Sequence, residues 1–223
     1  KKEIKKIILL TGAGGSGTIS IIKTLKRNYR IIAVDMNKYA VGLYLADKGY
    51  VLPPSAAKGY LKKLDQVVKK EKIDVIIPLI DEELLTIKRY YENKEIPKIL
   101  LPREEFIELC LNKWNLMNAL SGAKIPCPKT YLLKSFKRFP KNLFPCVIKP
   151  IRGRGSRGFQ YLSSQDDLEK YLQNSTYKKE DLIIQEAIKG TEFTISVVVS
   201  REGQVLSVVP KEVILKKGIT KIA

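Results

Sequence analysis

Four short apolar runs in the first hundred residues, separated by stretches with helical spacing, restrict the N-terminal half of the chain to one architecture. Ile4–Leu10, Arg30–Val34, Ile73–Pro78 and Lys98–Leu101 have the length of strands. Thr18–Arg27, Lys58–Lys72 and Glu82–Tyr91 read as helices; in the second of these, Leu61, Leu64, Val67 and Val68 fall on one face. Strands that alternate with helices are joined by crossovers, which make neighbouring strands parallel and cover both faces of the sheet. The expected fold is α/β, a doubly wound parallel sheet. Asp81 is the expected N-cap of the last helix, with Glu82 and Glu83 favourable to its dipole.

A second unit is expected from Asn112, so that residues 1–111 and 112–223 form two domains. Lys113–Leu120 reads as a helix ended by Gly122, followed by the extended Ile125-Pro126-Cys127-Pro128. Short strands are expected at Thr130–Leu133, Phe144–Lys149, Phe159–Leu162, Leu182–Gln185, Glu192–Ser200 and Gln204–Val209, with one helix at Gln165–Gln173. Arg201-Glu202-Gly203 is the expected hairpin turn. At 223 residues a chain buries about 70% of its unfolded surface, enough for two modest cores.

Two glycine-rich loops compete for a functional reading. Gly12-Ala13-Gly14-Gly15-Ser16-Gly17 satisfies GxGxxG between a strand and a helix, and Asp35 ends the second strand where a carboxylate could hold a ribose. That pattern suits NAD, and equally a turn that is merely tight. The second loop follows Phe144-Pro145-Cys146-Val147-Ile148-Lys149, an apolar run carrying one lysine. An unpaired buried ammonium costs several kcal/mol, so an anion is expected beside Lys149. Next come Arg152, Gly153, Arg154, Gly155, Ser156, Arg157 and Gly158. Glycines allow close backbone approach, successive amides can cradle an anion, and a triphosphate suits the charge. The spacing is not that of the common phosphate loop, because the lysine precedes the glycines.

Composition removes several function classes. The chain has no histidine, which excludes imidazole-dependent triads and His-ligated metals within it. Cys110, Cys127 and Cys146 are widely spaced and odd in number, and are expected as reduced core thiols. No apolar run approaches the roughly 18 residues of a membrane helix, and the basic start lacks the apolar segment of a signal peptide. A soluble, cytoplasmic protein is expected. The net charge of +18 raises nucleic acid as a partner. The lysines are nevertheless scattered in ones and twos, often beside glutamates, and nucleic acid is the least favoured partner. A homodimer is compatible with the sequence.

The second half offers no Tyr-x-x-x-Lys pair for hydride-linked proton transfer. Taken together, the motifs resemble the ATP-grasp superfamily, and most closely carboxylate–amine ligases similar to the large subunit of carbamoyl-phosphate synthase. The resemblance implies a Rossmann-like domain that precedes the nucleotide fold and binds no dinucleotide, here with Ile73–Leu84 as its third strand and helix. It implies ATP and Mg²⁺ as cofactors, and small-molecule carboxylate and amine substrates. Lys113 would be a first phosphate-side cation, Lys149 the strand lysine on the α/β-phosphates, and Gly153–Gly158 the loop over the triphosphate. Gln185, Glu186, Ala187 and Ile188 would line the adenine, largely through backbone; Glu192 would accept from the ribose hydroxyls. Lys211 is a further phosphate candidate. The family's late metal-binding carboxylates have no counterpart before Ala223, so the metal ligands are expected from a segment beyond it.

Overall fold

A computed structural model describes residues 5–136, 140–200, 202–217 and 219–222. Ile4 of the first expected strand and Arg201 of the expected hairpin turn lie outside the described residues. The chain divides into two compact units, Lys1–Glu108 and Leu109–Ala223.

In the N-terminal unit the elements follow the expected alternation: β1 Ile7–Leu10, α1 Ser16–Leu25, β2 Arg30–Asp35, α2 Val41–Leu45, β3 Lys48–Val51, α3 Tyr60–Glu71, β4 Val75–Ile77, α4 Leu84–Tyr91 and β5 Lys98–Ile99. All five strands are parallel, in the order β3-β2-β1-β4-β5. The two-residue period of β1 sorts its side chains between two cores. Leu9 packs with Leu64, Val67 and Val68 of α3 and Ile87 and Tyr91 of α4. Ile8 and Leu10 pack with Ile22 of α1 and Leu43 of α2. Each fully buried side chain of this kind contributes about 1.5–3 kcal/mol.

Three features of this unit depart from expectation. The α2–β3 pair was not expected, because Lys48-Gly49-Tyr50-Val51 is an edge strand without an apolar run and is held by backbone pairing to β2. Asp81 is not an N-cap. The chain enters α4 through a 3₁₀ turn, Asp81–Glu83, with no side-chain cap. Glu83 turns inward instead: its carboxylate accepts from the hydroxyls of Thr11 and Tyr60. Burial raises its pKa despite these donors.

The segment α5 Glu104–Leu111 spans the boundary between the units. The C-terminal unit then holds α6 Lys113–Gly122, β6 Thr130–Leu132, β7 Cys146–Pro150, β8 Gln160–Leu162, α7 Gln165–Asn174 and β9 Leu182–Glu186. Gly122 is the last residue of α6 rather than its stop, and the left-handed position falls at Lys124. Four strands form an antiparallel sheet in the order β6-β9-β7-β8. Cys146, Ile148, Leu162, Leu182 and Ile184 join Leu168 of α7 in the core. Ser164 starts that helix with a full capping box to Asp167.

Beyond it lie two hairpins, β10 Phe193–Val199 with β11 Val205–Glu212, and β12 Leu215–Lys217 with β13 Ile219–Ile222. The second was not expected. In the first, Ile195 faces Pro210 and Val197 faces Val208, and with Phe193 they form an exposed apolar face.

Glu71, at the end of α3, holds the far edge of the parallel sheet. Its carboxylate lies 2.8 Å from Arg30 Nη2 on β2 and 2.7 Å from Lys48 Nζ on β3, and accepts from the Tyr50 hydroxyl. The hydrogen bond from Lys48, then that from Tyr50, lower its pKa. A depressed carboxylate contributes stability above the unfolded value of about 4.3 and loses it as pH falls through the folded value. Glu71→Gln should cost about 1–3 kcal/mol in urea unfolding at pH 7. The gap between variant and parent should begin to narrow below about pH 4.3 and close only as pH falls through the depressed folded value, where the folded parent is protonated too.

Candidate functional site

The same two-residue period decides where Lys149 points. Along β7, Cys146, Ile148 and Pro150 are buried on the α7 side, whereas Val147 and Lys149 are half-buried on the opposite face. Lys149 is therefore not an interruption of a buried run, as the sequence suggested. Its Nζ lies 2.7 Å from Gln185 Oε1 on β9, which accepts one of its hydrogen bonds. Gln185 Nε2 in turn donates to Thr130 Oγ1 on β6 at 2.7 Å, and Thr130 donates to the Pro128 carbonyl at 2.9 Å.

The loop after β7 lies next to this row. Arg152, Arg154 and Arg157 are all exposed. Gly153, Gly155, Ser156 and Gly158 have φ between 57° and 117°, the left-handed region that favours glycine. Two side chains fasten the ends of the loop. Lys113 Nζ, at the start of α6, donates to the Gly153 carbonyl at 2.7 Å, and its backbone N–H donates to Ile151 O at 2.9 Å. Tyr171 of α7 donates to the Gly158 carbonyl at 2.7 Å. Asn112 caps α6 by accepting from the Asn115 N–H, which sets where Lys113 begins the helix.

Lys113 and the residues from Arg152 to Gly158 gather around the C-terminal end of β7, and Lys149 reaches back from there to Gln185, which lies opposite Val147. The adenine candidates lie toward the other end of β7: Gln185 and Glu186, the latter opposite Cys146, end β9, and Ala187 and Ile188 follow in irregular chain, with Ile188 exposed. Glu186 is anchored to the first strand of the sheet, donating its N–H to Lys129 O and accepting from Lys129 N–H. Glu192 and Lys211 lie at the far end of the β10–β11 ladder, where Lys211 pairs with Thr194. Thr130 and Tyr171 escaped the sequence reading, because their partners are 55 and 13 residues away and no spacing signals them. Cys110 is exposed rather than in a core; Cys146 is buried and Cys127 half-buried, and all three are free.

The glycine-rich turn of the N-terminal unit is closed on itself. Gly14 N–H donates to Asp35 Oδ2 at 2.8 Å, and the other Asp35 oxygen accepts from Asn37 N–H. Ala13 N–H goes to Val34 O, Gly15 N–H to Gly12 O, and the Thr18 hydroxyl to Gly12 O. The amide and the carboxylate that a dinucleotide would need are bonded to each other.

Comparison with known proteins resolves the family. Residues 8–99 match the PylC-like N-terminal domain and residues 110–221 match the ATP-grasp domain. The chain belongs to the ATP-grasp superfamily. Formate-dependent phosphoribosylglycinamide formyltransferase from Bacteroides fragilis is 27% identical over 96% of the chain and 56% of its own length. The enzyme of that name from Methanocella arvoryzae is 26% identical over 81% of the chain and 43% of its own length. Among solved structures, N5-carboxyaminoimidazole synthetase from Staphylococcus aureus, complexed with ADP, superposes with a TM-score of 0.73 at 15% identity, over 98% of the chain and 57% of its own. An L-amino acid ligase from Bacillus licheniformis gives 0.69 at 15% identity, over 95% and 52%.

The chain spans about half the length of these ATP-grasp relatives. The likeness to carbamoyl-phosphate synthase holds at the level of the superfamily. Neither the NAD nor the nucleic-acid alternative gains support. Among the described residues, no helix is long and apolar enough to cross a membrane, and no group of three His, Cys, Asp or Glu could hold a metal ion.

Gly158 has less room than Gly153. Its φ is +68°, and an added Cβ would lie 2.8 Å from Pro150 Cγ and against the Tyr177 ring. Gly153 also has a positive φ, but a Cβ there meets nothing within 4 Å. Gly158→Ala should therefore lower stability by about 2–4 kcal/mol, and Gly153→Ala by about 1–2 kcal/mol, in chemical unfolding. Equal costs would show that the Tyr177–Pro150 contact does not constrain the hinge.

Proposed function

We propose that these residues are the ATP-binding part of an ATP-grasp ligase that activates a carboxylate as an acylphosphate for attack by an amine. The single observation that carries the reading is the row at the end of β7. One lysine is presented away from the core beside a glycine-hinged loop bearing three exposed arginines. Lys149 and Lys113 neutralise the phosphates, and Arg152, Arg154 and Arg157, carried on Gly153, Gly155, Ser156 and Gly158, close over them. The backbone of Gln185, Glu186, Ala187 and Ile188 reads adenine's adjacent donor and acceptor; Glu192 accepts from the ribose, and Lys211 is a further phosphate ligand.

In the complete reaction a carboxylate oxygen attacks the γ-phosphorus and ADP leaves. The amine then attacks the acylphosphate carbon, and phosphate leaves as the nitrogen gives up a proton. Catalysis of the first step is positional and electrostatic, which suits cations without a general base. The relatives' names support the substrate classes: formate is a carboxylate, and phosphoribosylglycinamide carries an amine. Mg²⁺, when bound, would supply further neutralisation of the triphosphate. The described residues do not fit a metal site by themselves. Its ligands, and a cover for the exposed apolar face of the β10–β11 hairpin, are proposed to come with the remainder of an enzyme of the relatives' length. Three free thiols suit the reducing cytoplasm, the proposed location.

ATP at about 100 times its dissociation constant should add roughly 2.7 kcal/mol and raise the melting temperature by about 5–10 °C, with NAD giving a smaller shift. Lys149→Ala should weaken ATP by about 10- to 150-fold, more than Lys113→Ala. Glu192→Ala should cost less, and less again with 2′-deoxy-ATP, while Asp35→Ala should leave ATP binding unchanged. No shift with millimolar ATP, or parent-like binding by Lys149→Ala, would sink the reading.

Turnover separates this part from the whole enzyme. The 223 residues should release no ADP above background with a panel of carboxylates and amines, and should bind ATP with little Mg²⁺ dependence. Robust Mg²⁺-dependent ADP release would mean that the metal carboxylates are among them after all.

A further inference from the structure

We propose that Tyr171 is a positioning residue for the nucleotide site: its hydroxyl latches the trailing hinge of the arginine loop, so that the loop meets a triphosphate with that end already fixed. The inference rests on the nucleotide site proposed above and adds a residue, on the helix behind the loop, that acts on ATP through Gly158.

The base of the loop is closed. Ile151, directly after β7, gives its N–H to Asp181 O at 2.8 Å and accepts from the Lys113 N–H at 2.9 Å. Gly158 returns to the same place: a Cβ there would lie 2.8 Å from Pro150 Cγ and against the Tyr177 ring. Pro150 and Tyr177 thus wall its Cα, while its carbonyl accepts from the Tyr171 hydroxyl at 2.7 Å. Between these ends the backbone turns on itself, from Arg157 N–H to Arg154 O and from Phe159 N–H to Ser156 O.

Helix register brings the hydroxyl to that carbonyl. The capping box of Ser164 and Asp167 fixes where α7 starts. Leu168, Tyr171 and Leu172 then stand at i, i+3 and i+4 on one face and pack into the C-terminal core. Packing holds the ring, and the hydroxyl is the part that reaches the loop. Its single proton goes to a carbonyl, which can only accept, so toward Ser175 the phenolic oxygen is an acceptor. Ser175 Oγ accepts in turn from the Tyr177 N–H at 3.1 Å. One chain of donors therefore runs from Tyr177, whose ring walls Gly158, to the carbonyl of Gly158 itself. Burial raises the pKa of Tyr171, and the latching proton stays in place at neutral pH.

Tyr171 packs on the α7 side of the sheet, whereas Lys149 emerges on the opposite face. The hydroxyl thus influences phosphate through the loop rather than by contact. A loop fixed at its base loses less conformational freedom when it closes on a ligand, and that saving appears as affinity.

Trypsin reads the latch without any ligand, because Arg152, Arg154 and Arg157 are cleavage sites on the loop. The protease takes an extended segment, which a loop closed at its base presents only after the base opens. Nicking then follows the open population when closing outpaces cleavage. Tyr171→Phe keeps the ring and removes the hydroxyl. It should speed nicking at these arginines about 2- to 10-fold, the size of one neutral hydrogen bond, with cleavage elsewhere at the parent rate. It should weaken ATP by about the same factor and adenosine by less than about twofold. Ser175→Ala should do less of both. In the Tyr171→Phe background it should add nothing, since non-additivity is the mark of action through one group.

Parent-like nicking by Tyr171→Phe, or equal losses of ATP and adenosine, would make the hydroxyl a structural group and overturn the latch. Full additivity of Ser175→Ala with Tyr171→Phe would overturn the donor chain. The latch and the nucleotide site fail separately, because nicking is measured without nucleotide. If the parent neither binds ATP nor is protected by it from nicking, the site is misplaced and the inference falls with it. Should Tyr171→Phe melt early, Ser175→Ala, which leaves the ring and its hydroxyl in place, decides by the same two readouts.

Discussion

Strand β7 is hydrogen-bonded on both edges, and a strand so held can send its side chains only to two faces, alternately. Because Cys146 and Ile148 must bury against α7, Lys149 must emerge on the other side, and the loop that follows leaves from the same end. A register slip of one residue would put the ammonium into the apolar core and Ile148 into the site. The position of the one strand lysine is therefore guaranteed by burial of its neighbours. On that face its ammonium donates to Gln185, whose amide donates to Thr130.

The two glycine-rich loops show how similar sequences serve different ends. The N-terminal turn consumes its own amides: Asp35 takes Gly14, Val34 takes Ala13, and Gly12 accepts from both Gly15 and Thr18. Buried Glu83 then ties the end of β1 to the start of α3. Polar groups there are spent on holding a parallel sheet together. In the C-terminal loop the fastening comes from outside, through Lys113 and Tyr171, and falls on the carbonyls of the hinge glycines. Within it Arg157 N–H returns to Arg154 O, and all three arginines stand exposed, as the proposed phosphate site requires.

Net charge has a limited part in this. Much of the +18 is carried by exposed lysines scattered over loops, strands and helices, and such a field speeds the approach of anions without choosing among them. In the proposed site, selection would belong to cations whose placement the fold fixes: Lys149 on β7 and Lys113 behind the cap at Asn112.

Much of the architecture was legible in the chain because it follows from local rules. Apolar runs of strand length alternating with helical spacing imply a parallel sheet covered on both faces, and strand and helix positions agree with it to within a few residues. What lacked a local signal was missed: the edge strand β3, paired by backbone alone, and α2, whose five residues are too few for a period to show. Asp81 had the composition of a cap, but Glu83 found buried donors in Thr11 and Tyr60, and those tertiary partners set the turn. At the site, the sequence by itself determined the cationic loop, its glycine hinges and the lysine before it. Only the tertiary structure decided that Lys149 lies on the half-buried face away from α7, within hydrogen-bond reach of Gln185. It alone brought Thr130, 55 residues from Gln185, into line. Partners across a sheet are chosen by register, and register depends on how three distant strands bury their other faces together.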